Sequence, residues 1–225
     1  MSFLDQIQYK NKRFLIEASI EEKYWGKSIP PYAKRMFFTG VLIRRKGIFE
    51  FVDAFVKLKT LHPEIEAVVI GRDDENIKEE LIKNCKEKGV KNGLIFTGQI
   101  LFKDIISLYA KGGIFCLSSH IENSPNVVME AMAAGLPVVA SDVGAVKNIV
   151  KEGESGFLVT KKDSDELADK VNELLSNQKQ YELFGVSGRR IASDRWRPGI
   201  IASKHLKMYK EILSESSLLK KDRLP

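Results

Sequence analysis

The sequence predicts an α/β domain, a parallel sheet of about six strands with helices on both faces. Two observations predict it. Short apolar runs with little alternation recur along the chain, as expected of strands covered on both sides. Between them lie segments whose apolar residues fall at helical spacing, and strand–helix alternation of this kind implies parallel pairing.

The candidate strands are Met36–Leu42, Ile65–Ile70, Leu94–Thr97, Ile114–Leu117, Pro137–Ala140 and Gly156–Val159. The first helix, Gly47–Leu61, carries Ile48, Phe51, Val52, Phe55 and Leu58 along one stripe. Asn76–Lys88, Lys103–Ala110, Pro125–Ala134, Ala145–Val150 and Asp165–Leu175 supply the other helices. Residues 36–177 thus read as a Rossmann-like domain. Residues 1–35 read as an N-terminal segment and linker, with a short strand at Phe14-Leu15-Ile16 and breaks at Gly26 and Pro30-Pro31. Residues 178–216 read as two closing helices separated at Pro198-Gly199, where proline and glycine break the chain. Fraying is expected from Ser214 onward, with 217–225 as a tail. Ligands of such sheets bind at the carboxyl ends of the strands, so the loops at 40–47, 71–75, 97–101, 118–125 and 141–145 hold the candidate site.

Composition narrows the class. The chain has 225 residues, 44% of them apolar, with 36 Lys and Arg against 30 Asp and Glu. That suits one large domain with short appendages and argues against disorder. The net charge of +6 is compatible with a phosphorylated ligand, a nucleic acid or peripheral contact with a membrane surface. RNA-binding aromatic motifs are missing, so no nucleic-acid partner is expected. Cys85 and Cys116 are unclustered and make neither a disulfide framework nor a zinc site. No run approaches 18 apolar residues, and the polar start lacks a signal-peptide core, so the expected setting is cytoplasmic, including the inner face of the membrane. The dinucleotide fingerprint GxGxxG follows no strand. Gly26-Lys27-Ser28 ends like a phosphate loop, but Glu21 stands where its first glycine belongs. His62, His120 and His205 have no metal-ligand spacing, and there is no Gly-x-Ser-x-Gly elbow.

The informative stretch runs from Ser118 to Ser141, SSHIENSPNVVMEAMAAGLPVVAS. Ser124 is a good N-cap and Pro125 suits the first helical position, with Gly135 as the stop. The helix N-terminus then offers backbone N–H groups at the carboxyl edge of the sheet, a ready anion site suited to a diphosphate. Glu122 sits in the loop before it and Glu130 on its second turn, so both can face one cleft.

This stretch resembles the E-x7-E pattern of glycosyltransferase family 4, whose members are retaining enzymes of the GT-B fold. The resemblance covers roughly residues 14–215 and implies the C-terminal, donor-binding half of such a fold. It implies that Glu122 lies beside the donor sugar, that Glu130 holds the ribose hydroxyls, and that the N–H groups of Asn126 and Val127 meet the diphosphate, with Ser124 alongside. A second loop, Thr39-Gly40-Val41-Leu42-Ile43-Arg44-Arg45-Lys46-Gly47, resembles the family's phosphate clamp. Lys46 matches the family lysine, whereas Val41 stands at the arginine position, leaving Arg44 or Arg45 to reach the phosphates. Gly40 and Gly71 resemble the family's strand-end glycines beside the donor. Gln99 and Ile100 resemble the turn whose backbone reads the nucleobase.

The resemblance implies transfer of a sugar from a nucleotide diphosphate sugar to an acceptor hydroxyl, with Lys46 and Glu122 as catalytic groups and no separate nucleophile. It places the reaction in cell-envelope polysaccharide synthesis. No metal or other cofactor is expected, because no Asp-x-Asp motif lies near a strand end. An N-terminal acceptor-binding domain, or a separate chain supplying one, is the expected partner, and this half alone is expected to be inactive. A non-catalytic nucleotide-sugar-binding module is the main alternative. A nucleotide-sugar epimerase is disfavoured by His120-Ile121-Glu122-Asn123-Ser124-Pro125, which replaces that class's Ser-Gly-Gly loop.

Overall fold

The computed structural model describes residues 16–25 and 28–221, with side chains through residue 214. Phe14, Leu15 and Gly26 lie outside the described residues. Six strands, β1 (Arg35–Thr39), β2 (Glu66–Ile70), β3 (Leu94–Gly98), β4 (Ile114–Leu117), β5 (Val138–Ser141) and β6 (Gly156–Val159), form one sheet in the order β3-β2-β1-β4-β5-β6. Every pairing is parallel. The helices are α1 (Ile48–Leu61), α2 (Lys78–Glu87), α3 (Phe102–Tyr109), α4 (Asn126–Ala134), α5 (Val146–Ile149), α6 (Ser164–Ser176), α7 (Gln178–Trp196) and α8 (Pro198–Lys221). This is the Rossmann-like architecture read from the apolar runs. Helix α8 continues through Ser214, where the sequence suggests fraying.

The central strands explain why those runs do not alternate. In β1, Met36 and Phe38 join one core layer while Phe37 joins the other. The first layer holds α1, α2 and α6, through side chains such as Phe51, Phe55, Leu81, Val171 and Leu174. The second holds α3, α4 and α5, through Tyr109, Met129, Met132 and Val146. Helix α7 spans both, giving Tyr181 and Phe184 to the first and Ile191, Ala192 and Trp196 to the second. The Tyr181 hydroxyl accepts from the Gly113 N–H at 2.8 Å and donates to the Pro31 carbonyl at 3.0 Å, tying α7 to the start of the sheet.

Helix starts follow local chemistry. Asp163 caps α6 by accepting from the Glu166 N–H at 2.8 Å, and Asn177 caps α7 by accepting from Gln180 at 3.1 Å. Asp73 accepts from the N–H groups of Ile77 and Lys78 at the head of α2. Each satisfies donors that a helix leaves unpaired at its first turn. Pro198 opens α8 directly after α7, a position where its missing N–H costs no hydrogen bond.

Two glycines are fixed by close backbone approach at the carboxyl edge. Gly47 has φ +70°, and a Cβ there would lie 1.8 Å from the Ser118 carbonyl oxygen. Gly71 has φ +146°, and its Cβ would lie 1.8 Å from the Gly40 carbonyl oxygen. Gly47→Ala should therefore destabilise the domain by more than about 2 kcal/mol, since the left-handed backbone alone costs an L-residue roughly 1–2 kcal/mol. Urea denaturation of the variant and wild type checks this.

Candidate functional site

Strands β1 and β4 are adjacent and parallel, but the chain leaves β1 toward β2 and leaves β4 toward β5. The crevice between their carboxyl ends is the switch point of the sheet, where open α/β folds take ligands. Its walls are the loop after β1, which includes a 3₁₀ turn over Arg44–Lys46, and the loop from Ser118 to Pro125.

These two loops are fastened together. Lys46 Nζ lies 2.5 Å from Glu122 Oε1, and the buried Ser119 hydroxyl donates to the same oxygen at 2.9 Å. Glu122 is only 8% exposed. One residue along, the His120 N–H donates to the Arg45 carbonyl at 3.0 Å, and its Nε2 lies 2.8 Å from Glu50 Oε1. The structure thus brings Lys46 and Glu122 into direct contact across the crevice.

Helix α4 starts one residue later than its sequence suggests. Pro125, with φ −79° and ψ 77°, holds the cap position, and no side chain caps the helix. Those angles describe an inverse γ-turn, closed by the Asn126 N–H donating to the Ser124 carbonyl at 2.9 Å. Ser124 is therefore not the side-chain cap, since its hydroxyl faces Asn126 Oδ1 at 3.4 Å. The Asn126 N–H is engaged within the turn. Among the described residues the Val127 N–H has no hydrogen-bond partner, so it stands open to an anion at the helix N-terminus.

Glu130 projects from the next turn of α4 and is half-buried. The buried Tyr24 side chain lies in its neighbourhood. Burial pushes the Glu130 carboxyl above its ordinary range, and Glu21 adds to the rise, while the nearby Tyr24 hydroxyl and Lys23 oppose it. Tyr24 comes from residues read from sequence as linker. A Tyr-Trp pair in such a segment was the available signal, since large aromatics are seldom left uncovered.

The other candidates scatter. Arg44 is held by both carboxylate oxygens of Glu80, at 2.8 and 3.1 Å, and its guanidinium lies 4.3 Å from the Phe49 ring centre. It is committed to α2, not to the crevice. Arg45 is exposed, and among the described residues its guanidinium joins no ion pair. Gly40 and Gly71 meet backbone to backbone at the ends of β1 and β2. Gln99 is exposed and Ile100 packs against the second core layer. On the other flank of Glu122, a cavity of about 660 Å³ is lined by His120, Asp142, Thr160, Lys161 and Glu166, among others. Of the sequence candidates only Glu122 borders it. Among the described residues no group of three or more His, Cys, Asp or Glu could hold a metal ion.

The family described as glycosyl transferases group 1 matches residues 19–191. The chain belongs to that family. It is 30% identical over 190 residues to a phosphatidyl-myo-inositol mannosyltransferase of Mycobacterium leprae, covering 84% of this chain and 49% of that protein. The chain spans about half the length of the curated relatives it matches. The C-terminal domain of the group 1 glycosyl transferase LpcC from Francisella tularensis superimposes with a TM-score of 0.69 at 30% identity. That match covers 81% of this chain and 96% of the LpcC chain. Anabaena HepE, solved in complex with UDP, gives a TM-score of 0.71 at 25% identity, covering 80% of this chain and 48% of HepE. Its structural neighbours are GT-B glycosyltransferases, and the chain has the six-stranded fold of one such domain.

The raised Glu130 pKa has a consequence for stability. Between the ordinary value near 4.5 and the raised folded value, the folded state binds more protons than the unfolded chain. Stability contributed by this group is therefore fully present below the ordinary value and lost as pH rises through the folded one. Thermal melts should show Glu130→Gln matching or exceeding wild type at pH 7, with the difference closing as pH falls toward 4.5.

Proposed function

We propose that this chain is the sugar-nucleotide-binding half of a retaining glycosyltransferase, one that moves a hexose from a nucleotide diphosphate sugar to an acceptor hydroxyl. The observation that carries the reading is the contact of Lys46 with Glu122 at the switch point of the sheet, in the loop that leads into α4. The UDP complex of HepE supports a nucleoside diphosphate as the ligand. The length of the relatives supports a second domain, in the same or a separate chain, that brings the acceptor.

When the bond between sugar and diphosphate breaks, negative charge builds on the leaving oxygen. Lys46 and the positive end of α4 are fixed where that charge would develop, and preorganised groups of this kind lower a barrier most effectively. Lys46 then exchanges one Glu122 contact for phosphate oxygens. Glu122 stays anchored by Ser119 and lies beside the sugar ring. The acceptor hydroxyl attacks from the face the diphosphate leaves and passes its proton to the departing phosphate oxygen, which retains configuration without an enzyme nucleophile. Glu130 accepts from the ribose hydroxyls, and Gln99 and Ile100 border the base. The reaction uses no metal in this reading, and it takes place in the cytoplasm, at the inner face of the membrane. Among the described residues, no helix is long and apolar enough to cross a membrane.

A non-catalytic binding module is the second reading. It is favoured by Val41 at the family arginine position and by the hold of Glu80 on Arg44. Donor turnover measured with and without an acceptor-domain chain separates the two. The purified chain should bind nucleotide and transfer nothing alone, and transfer by the chain alone would contradict its being half an enzyme.

Lys46→Gln should weaken UDP or GDP binding by roughly tenfold, the loss expected for one charge-assisted hydrogen bond of about 1.5 kcal/mol. Binding of the nucleosides uridine and guanosine should be unchanged. Calorimetric titration of each ligand reads the difference.

A further inference from the structure

Glu122 borders two spaces. One is the crevice it shares with Lys46, and the other is the cavity of about 660 Å³ on its far flank, at the carboxyl ends of β5 and β6. That volume falls in the range of small-molecule sites. The walls of the cavity are fixed by backbone contacts. Gly144 has φ +55°, and a Cβ there would lie 1.6 Å from the Glu122 carbonyl oxygen. The loop after β5 is therefore pressed against the loop that carries Glu122. The Asp142 N–H donates to the Val159 carbonyl at 2.8 Å, joining the ends of β5 and β6. The Thr160 N–H donates to a Glu166 carboxylate oxygen at 2.7 Å, which holds the loop after β6 to the first turn of α6.

Within this frame two charged side chains are left over. Asp142 and Lys161 are both exposed and line the cavity from neighbouring strand ends. Among the described residues neither side chain joins a hydrogen bond or an ion pair. Lys162, next in the chain, has φ +64°, in the left-handed region that few non-glycine residues adopt. Such backbone persists where the surrounding structure enforces it, and it clusters at ligand sites. Val143 and the 59% exposed Ile121 add apolar surface beside the polar pair.

Charge decides the class of ligand. Glu122, Asp142 and Glu166 bring three carboxylates to the cavity, against Lys161 and a His120 already engaged with Glu50. A diphosphate would meet like charge here, and Lys46, the cation that answers Glu122, stands on the crevice side. A neutral ligand rich in hydroxyls fits instead. Each hydroxyl both donates and accepts, so neighbouring hydroxyls can pair with a carboxylate and an ammonium at once, while the C–H faces between them cover Ile121 and Val143. Those are the properties of a saccharide.

We infer that this cavity is the subsite for a sugar unit of the acceptor, set across Glu122 from the donor diphosphate, with Asp142 accepting from its hydroxyls and Lys161 donating to them. The inference rests on the reading of the β1–β4 crevice as the diphosphate site. The reacting hydroxyl lies on the Lys46 side, and the cavity holds the sugar unit next to it. This half of the enzyme then shares in the choice of acceptor with the second domain.

The methyl α-glycosides of glucose, mannose and galactose serve as probes, each titrated into the ¹⁵N-labelled chain in the presence of UDP. Inorganic phosphate, and UDP-glucose in place of UDP, are separate arms. At least one glycoside should move the amides of Asp142–Gly144 and Thr160–Lys161, and phosphate should leave them in place. Asp142→Asn and Lys161→Met should each weaken that glycoside about three- to tenfold, as expected for one hydrogen bond to a charged group. If no glycoside moves these amides while UDP moves those of the β1–β4 crevice, the subsite is overturned and the donor reading stands. Unchanged affinity in both variants overturns it as well. So does a shift caused by phosphate, which would make the cavity an anion site. Displacement of the glycoside by UDP-glucose also overturns it, since the cavity would then hold the donor's own sugar. If the glycoside binds but UDP leaves the crevice amides unmoved, the donor reading falls and the acceptor role falls with it.

Discussion

Lys46 and Glu122 join the two directions in which the sheet is wound. One comes from the loop after β1, the other from the loop after β4, and between them Gly47 lies against the Ser118 carbonyl with no room for a side chain. The close approach is the constraint from which the rest of the site follows. With the loops in contact, the His120–Glu50 pair closes the same seam further out. An ion pair this poor in solvent is a weak source of net stability, because removing both charges from water offsets much of their attraction. Its value is in placing a cation and an anion where a charged ligand would lie.

Electrostatics divides the two glutamates of α4 and its approach. Glu122 is buried but answered by Lys46 and Ser119. Glu130 is half-buried and joins no ion pair among the described residues, so its charge carries a desolvation cost that the fold does not repay. Packing does not require such a carboxylate on a helix. A ligand that donates hydrogen bonds to it would supply what the fold withholds, which is the common arrangement at binding sites.

The sheet was legible because burial on both faces leaves nearly continuous apolar runs, and all six strands fall within a few residues of where those runs sit. The helix of the E-x7-E stretch was legible because Pro125 and Gly135 bracket an apolar run, and the helix ends at Ala134 as that run predicts. What escaped sequence reasoning depended on distant partners. Arg44 looks like a phosphate ligand until Glu80, 36 residues away, draws its guanidinium toward α2. Ser124 looks like a cap until Pro125 bends into a γ-turn that engages the Asn126 N–H locally. Residues 16–25 escaped because Glu21-Glu22-Lys23 reads as a solvated charge run and masks the signal of the Tyr24-Trp25 pair beside it, of which Tyr24 is buried. Local propensity does not encode contacts of this range.

The central claim is that the nucleotide diphosphate binds at the switch point between β1 and β4. Amide chemical shifts of the ¹⁵N-labelled chain, followed during titration with UDP, test it most directly. Binding there should move the amides of Gly40, Val127 and Gly98 through Ile100, with the Val127 amide shifting as its N–H takes up a phosphate oxygen. Shifts confined instead to Asp142–Gly144 and Thr160–Lys161, around the cavity on the far side of Glu122, would contradict it.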